Sequence, residues 1–326
     1  MANRYFAGNS LAAFFRTSTA VVDGFTTAGY FDSAHVPSAI NVVGNATSSR
    51  NNIQTYAFSA TGTLFAHCEF RSNGTQASGA ATWISFFNGA TEAYRLSWGS
   101  TNGYQLSYWN GSAWVTGTSV VSAAINTKVQ IDIKITLNSE MRVYVGGTEL
   151  TAAAITGISG AQTTITHALG WSMGSSVTDN AYSQFMLSDY DMRDSKYMLA
   201  GLNGDSASNT NGTGAYTTIN ETVLDESTGV SLTTTAHKRG QTHAAITVPA
   251  GYVIGAAVWN ARGRVNGTIT DGKLGFRSGG TNYSSSGKTY NGGYEPRGHI
   301  IEDDPATATR FTQSGFNNAE TYLEAV

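Results

Sequence analysis

The chain has 326 residues, a formal net charge of −3 and a pI near 6.1, and only 13% of its residues are charged. Residues 1–200 carry 10 basic and 11 acidic side chains and residues 201–326 carry 9 and 11, so neither half offers the basic surface that nucleic acid or an anionic membrane requires. A length above 300 calls for two domains, no run approaches the roughly 20 apolar residues of a membrane helix, and Cys68, the single cysteine, excludes an intrachain disulfide.

Residues 1–50 show little sustained period. Residues 21–26 predict one strand, and the whole stretch reads as an extended arm that packs on the first domain or on a neighbouring subunit. The apolar run 11–15 ends at Arg16 and is too short for a signal-peptide core. The expectation is synthesis in the cytoplasm, where the protein stays or from which it leaves by lysis or inside a larger particle.

From Asn52 the pattern is strand after strand. Segments 53–58, 63–70 and 82–87 come first, the last ending at Asn88-Gly89. Segments 94–98 and 104–109 alternate, and Asn110-Gly111 then predicts a two-residue hairpin returning through Trp114-Val115. Residues 128–137 are the clearest element: Val129, Ile131, Ile133, Ile135 and Leu137 at odd positions predict a core face, and the polar even positions a wet one. Residues 141–145 follow, ended by Gly146-Gly147, and residues 181–188 close the domain. The Gly/Asn/Ser/Thr run 201–213 reads as a linker. Strands are expected again at 242–248, 252–264, 272–278 and 289–294, with the apolar run 252–259 covered on both faces. Residues 311–326 fit a short terminal helix, with Phe316, Ala319 and Leu323 at helical spacing, or a closing strand. The fold class is all-β, with two jelly-roll-like β-sandwich domains at 51–200 and 214–326 and an extended N-terminal arm at 1–50.

The layout of residues 94–150 resembles concanavalin-A-like and laminin-G-like sandwiches, through the alternating strand and then Met141-Arg142-Val143-Tyr144-Val145-Gly146-Gly147. The stretch Ala181-Tyr182-Ser183-Gln184-Phe185-Met186-Leu187-Ser188-Asp189-Tyr190-Asp191-Met192-Arg193-Asp194 is similar to the ending of such a domain in virion proteins of tailed bacteriophages. It departs at the last four residues, where Asp-Thr-Arg-Gly is usual. Residues 214–221, Lys273-Leu274-Gly275-Phe276-Arg277-Ser278-Gly279-Gly280-Thr281-Asn282-Tyr283, Asp304-Pro305-Ala306-Thr307, Phe311-Thr312 and Asn317-Asn318-Ala319-Glu320 resemble a module that follows this domain in phage structural genes. The resemblance covers residues 50–326. It implies a non-catalytic virion structural or adhesion protein: a tail fibre, tail tip or neck-associated component. The alternatives are a capsid decoration protein and a carbohydrate-binding adhesin module, with a polysaccharide-degrading enzyme ranked last. The implied partners are further copies of the chain in a homotrimer or other symmetric oligomer, other head or tail proteins, and a host surface glycan. No nucleic-acid partner and no membrane insertion are expected, and the implied location is the virion.

Few residues carry chemistry. Sandwich glycosidases need acids at alternate positions of one strand; Asp132 is a lone acid on its strand, and Glu302-Asp303-Asp304 runs into Pro305. Gly170-Trp171-Ser172-Met173-Gly174 fits the nucleophile-elbow pattern, with Asp189 or Asp191 and then His237 in order, but no strand–helix alternation surrounds it. Gly287-Lys288-Thr289 lacks the first glycine of a phosphate loop. The histidines, His237 and His243 included, do not pair with Cys or Glu at metal-ligand spacing. No cofactor is expected. Calcium is the one metal with candidate ligands, at Asp189 and Asp191 and at Asp179 and Asn180. The strongest binding signal is the aromatic cluster Tyr104, Tyr108, Trp109 and Trp114, expected to serve the core, an interface or a glycan, with Tyr104 and Tyr108 on one face and Trp109 on the other.

Overall fold

A computed structural model describes residues 3–17, 21–25, 36, 38–44, 51–73, 82–99, 103–122, 126–172, 179–210, 212–219, 226–265 and 267–326. The chain divides into two compact units, Met1–Tyr197 and Met198–Val326.

In the first unit the described residues form two antiparallel sheets. The first runs Thr148–Glu149, Glu140–Val145, Val129–Thr136, Thr63–Asn73, Asp179–Ser188, Ala39–Val42, Val21–Phe25, with Arg4–Gly8 also on Asp179–Ser188 and Ile155–Thr156 on Glu140–Val145. The second runs Trp114–Thr116, Gly103–Trp109, Thr91–Trp98, Thr82–Asn88, His167–Ser172, Asn51–Thr55, Phe14–Arg16, with Val120–Ser122 also on Gly103–Trp109. Ile131, Ile133 and Ile135 turn inward as their spacing predicts. The two inner faces meet through rings: Trp83 of the second sheet lies 5.0 Å from Phe70 of the first, and Trp98 and Tyr104 pack on it at 5.1 and 5.3 Å. Gly146 and Gly147, at φ 57° and 79°, form the two-residue turn that the right-handed strand twist favours.

Three expectations for this unit change. The described part of residues 1–50 is built into both sheets rather than laid along them as an arm. Phe6 and Phe14 come from different sheets and pack 4.8 Å apart, each against Phe185. These strands have three to five residues, too few to show a period. The hairpin at Asn110 has a four-residue loop, because the Asn110 side-chain oxygen accepts from the backbone N–H groups of Ser112 and Ala113. Finally, the outer side of Val129–Thr136 is wet only in part. Asp132 is 3% exposed; one of its oxygens lies 2.7 Å from His67 Nδ1 and the other accepts from Gln130 Nε2. Gln130 also donates to the Arg193 carbonyl, and the Arg193 guanidinium lies over the Tyr144 ring.

In the second unit the described residues form a six-stranded sheet in the order Leu202–Asp205, Lys238–His243, Glu320–Ala325, Asp271–Ser278, Thr281–Ser284, with Lys288–Thr289 on Asp271–Ser278. Ala257–Gly263 and Glu295–Ile301 form a separate ribbon, and Ala257, Phe276 and Phe311 make a small core with Ile254, Trp259, Ile301 and Phe316 against it. The expected linker supplies the edge strand Leu202–Asp205, tied further by Ser206 Oγ donating to Glu320. The apolar run from Tyr252 is not a covered strand: only Ala257–Gly263 pairs, while Tyr252 and Val253 are 45% and 83% exposed after a turn closed from Tyr252 N–H to the Pro249 carbonyl. Both readings of the C-terminus hold in succession, as helix Gln313–Asn317 and then strand Glu320–Ala325 inside the sheet.

Candidate functional site

Strand register decides where the four aromatic candidates point. On Gly103–Trp109, Tyr104 and Tyr108 are buried with Leu106 in the sandwich core, and burial pushes the Tyr104 hydroxyl up to about 12. Trp109 faces the opposite way and pairs with Trp114 across the hairpin. These two rings, both half-buried, meet edge to face at 5.9 Å, and the Arg95 guanidinium lies 3.8 Å over the Trp114 ring. The predicted set therefore splits: Trp109 and Trp114 form a surface feature, and Tyr104 and Tyr108 hold the sheet beneath it.

The same outer face carries residues that sequence spacing did not join to this cluster. Thr82–Asn88 lies between Thr91–Trp98 and His167–Ser172, which brings Ser85, Phe87, Glu92, His167 and Trp171 together. Ser85 Oγ accepts from Trp171 Nε1 at 2.9 Å and donates to Glu92 Oε1 at 2.6 Å. Phe87 and His167 are register partners with stacked rings 5.0 Å apart, and Trp171 lies 6.4 Å from Phe87. Burial lowers the His167 pKa and so favours its neutral ring. Ala93 is the extra residue of a bulge opposite Phe86 and Phe87; it resets alternation so that Glu92 and Arg95 share a face three residues apart. From Trp114 to His167 the face spans four strand spacings, about 19 Å. The usable signal was parity: outward positions of neighbouring strands rich in aromatic and hydrogen-bonding side chains. The strand order and the bulge were needed to bring them together.

Such a face has half-buried rings on either side of the Glu92 carboxylate, which is held from below by the buried Ser85 hydroxyl and the Trp171 indole. It can pack against the apolar faces of a ligand and accept hydrogen bonds at Glu92 from hydroxyls on the ligand's rim.

The other candidates lie elsewhere. Gly170, Trp171 and Ser172 belong to strand His167–Ser172, and the next described element is the strand Asp179–Ser188; Met173 and Gly174 fall outside the described residues. The calcium candidates already hold protein donors. Asp189 accepts from the backbone and side-chain nitrogens of Asn3, Asp191 from the Arg193 guanidinium, and Asp179 from Gly44 N–H. Asn180 is buried and donates to the Trp171 carbonyl. The Arg193 hydrogen bonds hold the Asp191 carboxyl below its usual range. Among the described residues no three His, Cys, Asp or Glu side chains gather as a metal site. His243 is buried against Phe316, and Lys288–Thr289 is a short exposed strand.

Both units are thus layered antiparallel β structures. No protein-family model matches the chain, and no curated protein matches it. Among solved structures it is similar to the cellulose-induced protein Cip1, at 12% identity over 56% of this chain and 94% of that one, TM-score 0.45. It is also similar to the globular domain of T. cruzi calreticulin, at 8% identity over 59% and 90% of the two chains, TM-score 0.42. A third is the carbohydrate recognition domain of Emp47p, at 10% identity over 56% and 100%, TM-score 0.35.

Proposed function

We propose that the chain is an adhesive surface component of a tailed-phage particle, and that its first unit binds glycans on the outer face of the second sheet. The observation that carries the glycan reading is the line of half-buried rings from Trp114 and Trp109 to Phe87, His167 and Trp171, interrupted by the Trp171–Ser85–Glu92 hydrogen-bond chain. Sugars present apolar ring faces and hydroxyl edges in alternation, and this face offers the complement of both. Its formal charges are Glu92 and Arg95, and Arg95 is laid on Trp114, which favours neutral over anionic glycans. The virion reading is supported by the ordered motifs of residues 50–326 and by the weakly charged surface, which suits dense packing of copies because a high net charge would make them repel.

A glycan array with the full-length protein tests the binding reading. Specific retention that is lost in Trp109→Ala and Trp114→Ala supports it, and an array with no specific retention removes it. Reducing ends released from a polysaccharide on the array would replace it with the enzyme reading. Copy number on an imaged particle separates placements: hundreds of copies for head decoration, a few to a few tens for a tail part.

A further inference from the structure

On the inner side of the six-stranded sheet of the second unit, Gln241 and Thr321 are register partners, and Thr321 is in turn the partner of Phe276 in the core. Gln241 is 1% exposed, yet neither its amide oxygen nor its amide nitrogen has a hydrogen-bond partner among the described residues, and neither does the buried Thr321 hydroxyl. His243, two residues along the same strand and on the same face, is buried with Nε2 unpartnered. Its Nδ1 lies 3.2 Å from the Ala244 carbonyl. A carbonyl only accepts, so Nδ1 carries a proton, and in the tautomer with a single ring proton Nε2 is an acceptor.

Buried polar groups of folded proteins are nearly always paired, and leaving one unpaired costs its full desolvation. Here four unpaired atoms fall on three side chains that share one face of two paired strands. Together they offer two amide donors, a hydroxyl that can act either way, and acceptors at Gln241 Oε1 and His243 Nε2. That is the mixed set that water satisfies, with about three hydrogen bonds per molecule. A larger organic ligand would need apolar walls as well as polar ones, whereas a unit of this size normally carries on the order of five buried waters.

We propose that ordered water is built into the second unit at this point, bridging Gln241, Thr321 and His243 Nε2 as a fixed part of the core. The site makes the sign of a substitution diagnostic. At a dry site, Thr321→Val and Gln241→Met remove unpaired polar atoms, and the unit gains stability. At a hydrated site they break bridges, and it loses stability.

The test uses the full-length chain labelled with 5-fluorotryptophan. Trp259 is the one tryptophan in residues 198–326, so its ¹⁹F resonance reports unfolding of this unit alone. A lower urea midpoint in Thr321→Val and in Gln241→Met is expected, and an unchanged or higher midpoint overturns the proposal. Should the variants fail to fold, high-resolution diffraction of the unaltered protein decides. Water density within hydrogen-bonding distance of at least two of the three side chains is expected, and a site without density overturns the proposal.

Discussion

Tyr322 lies so close over Gly275 that a Cβ added to the glycine would come within 2.3 Å of the tyrosine ring. The two are register partners on adjacent strands, and the Lys238 ammonium lies 5.6 Å from the centre of the same ring. The tyrosine supplies the surface that the glycine lacks, and the glycine supplies the space that the tyrosine fills. Gly275→Ala therefore forces Tyr322 away and should cost about 1–3 kcal/mol, the usual range for overpacking. Chemical unfolding followed at Trp259 measures it, with Gly292→Ala as a control because a Cβ there meets nothing within 4 Å.

The hairpin aromatics should separate by readout. Trp109→Ala and Trp114→Ala should weaken glycan binding about fivefold or more, corresponding to the ~1 kcal/mol above which an interface residue counts as contributing, with small changes in the unfolding midpoint. Tyr104→Ala empties part of the core beside Trp83 and should cost about 3–5 kcal/mol. Calorimetric titration and urea unfolding on the same three variants check the division; equal loss of binding in all three at constant stability would contradict it.

Ser85 links Trp171 to Glu92. Ser85→Ala removes the acceptor for the indole N–H and the donor to the carboxylate, and should cost about 1–3 kcal/mol of stability. It should also lower glycan affinity although the residue is itself buried. An affinity equal to that of the unaltered protein would mean that the two side chains hold their places without it.

Asp132 and His67 form a buried pair at 2.7 Å. Asp132→Ala leaves His67 Nδ1 and Gln130 Nε2 without this acceptor and should destabilise by about 1.5–3 kcal/mol, the value of a hydrogen bond to a charged group. Asp132→Asn keeps one acceptor oxygen and should lose less. Urea midpoints at constant slope give the comparison.

Burial lowers the pKa of His167 and of His299, so folding favours their neutral rings. That contribution is complete above about pH 6.5, the ordinary histidine value, and is lost as pH falls through the lowered folded value. The unfolding midpoint should therefore decline from pH 7 to pH 5, and His167→Gln should flatten part of the decline. The NMR titration of the His167 ring should centre below its unfolded value; a centre at or above that value would reverse the assigned sign.

Much of the central scaffold was legible from spacing alone. In Val129–Thr136 the isoleucines fall at every second residue, so one face is apolar over its whole length. Asp132 broke that reading on the outer face because the residues that cover it, His67 and Arg193, are each about 60 positions away in sequence. The edge strand Leu202–Asp205 carries Gly and Asp and reads as loop; its place is fixed by the partner strand Lys238–His243 and by Glu320, which no local pattern announces. The candidate site divides in the same way. Alternation set Trp109 on the face opposite Tyr104 and Tyr108 in the sequence, but Ser85, Glu92, His167 and Trp171 join it only through strand order.

The pairing of Arg4 with Ser188 also bears on biosynthesis. During synthesis Arg4–Gly8 cannot dock until its partner strand has cleared the ribosome, an interval of about 10–40 s at roughly 5–20 residues per second. Throughout that interval Phe6 and Phe14 lack the ring of Phe185 that will shield them, so newly made chains present these aromatic rings to one another. A host short of holdase chaperones should accumulate this product as inclusion bodies, and slower growth at low temperature should recover it in solution.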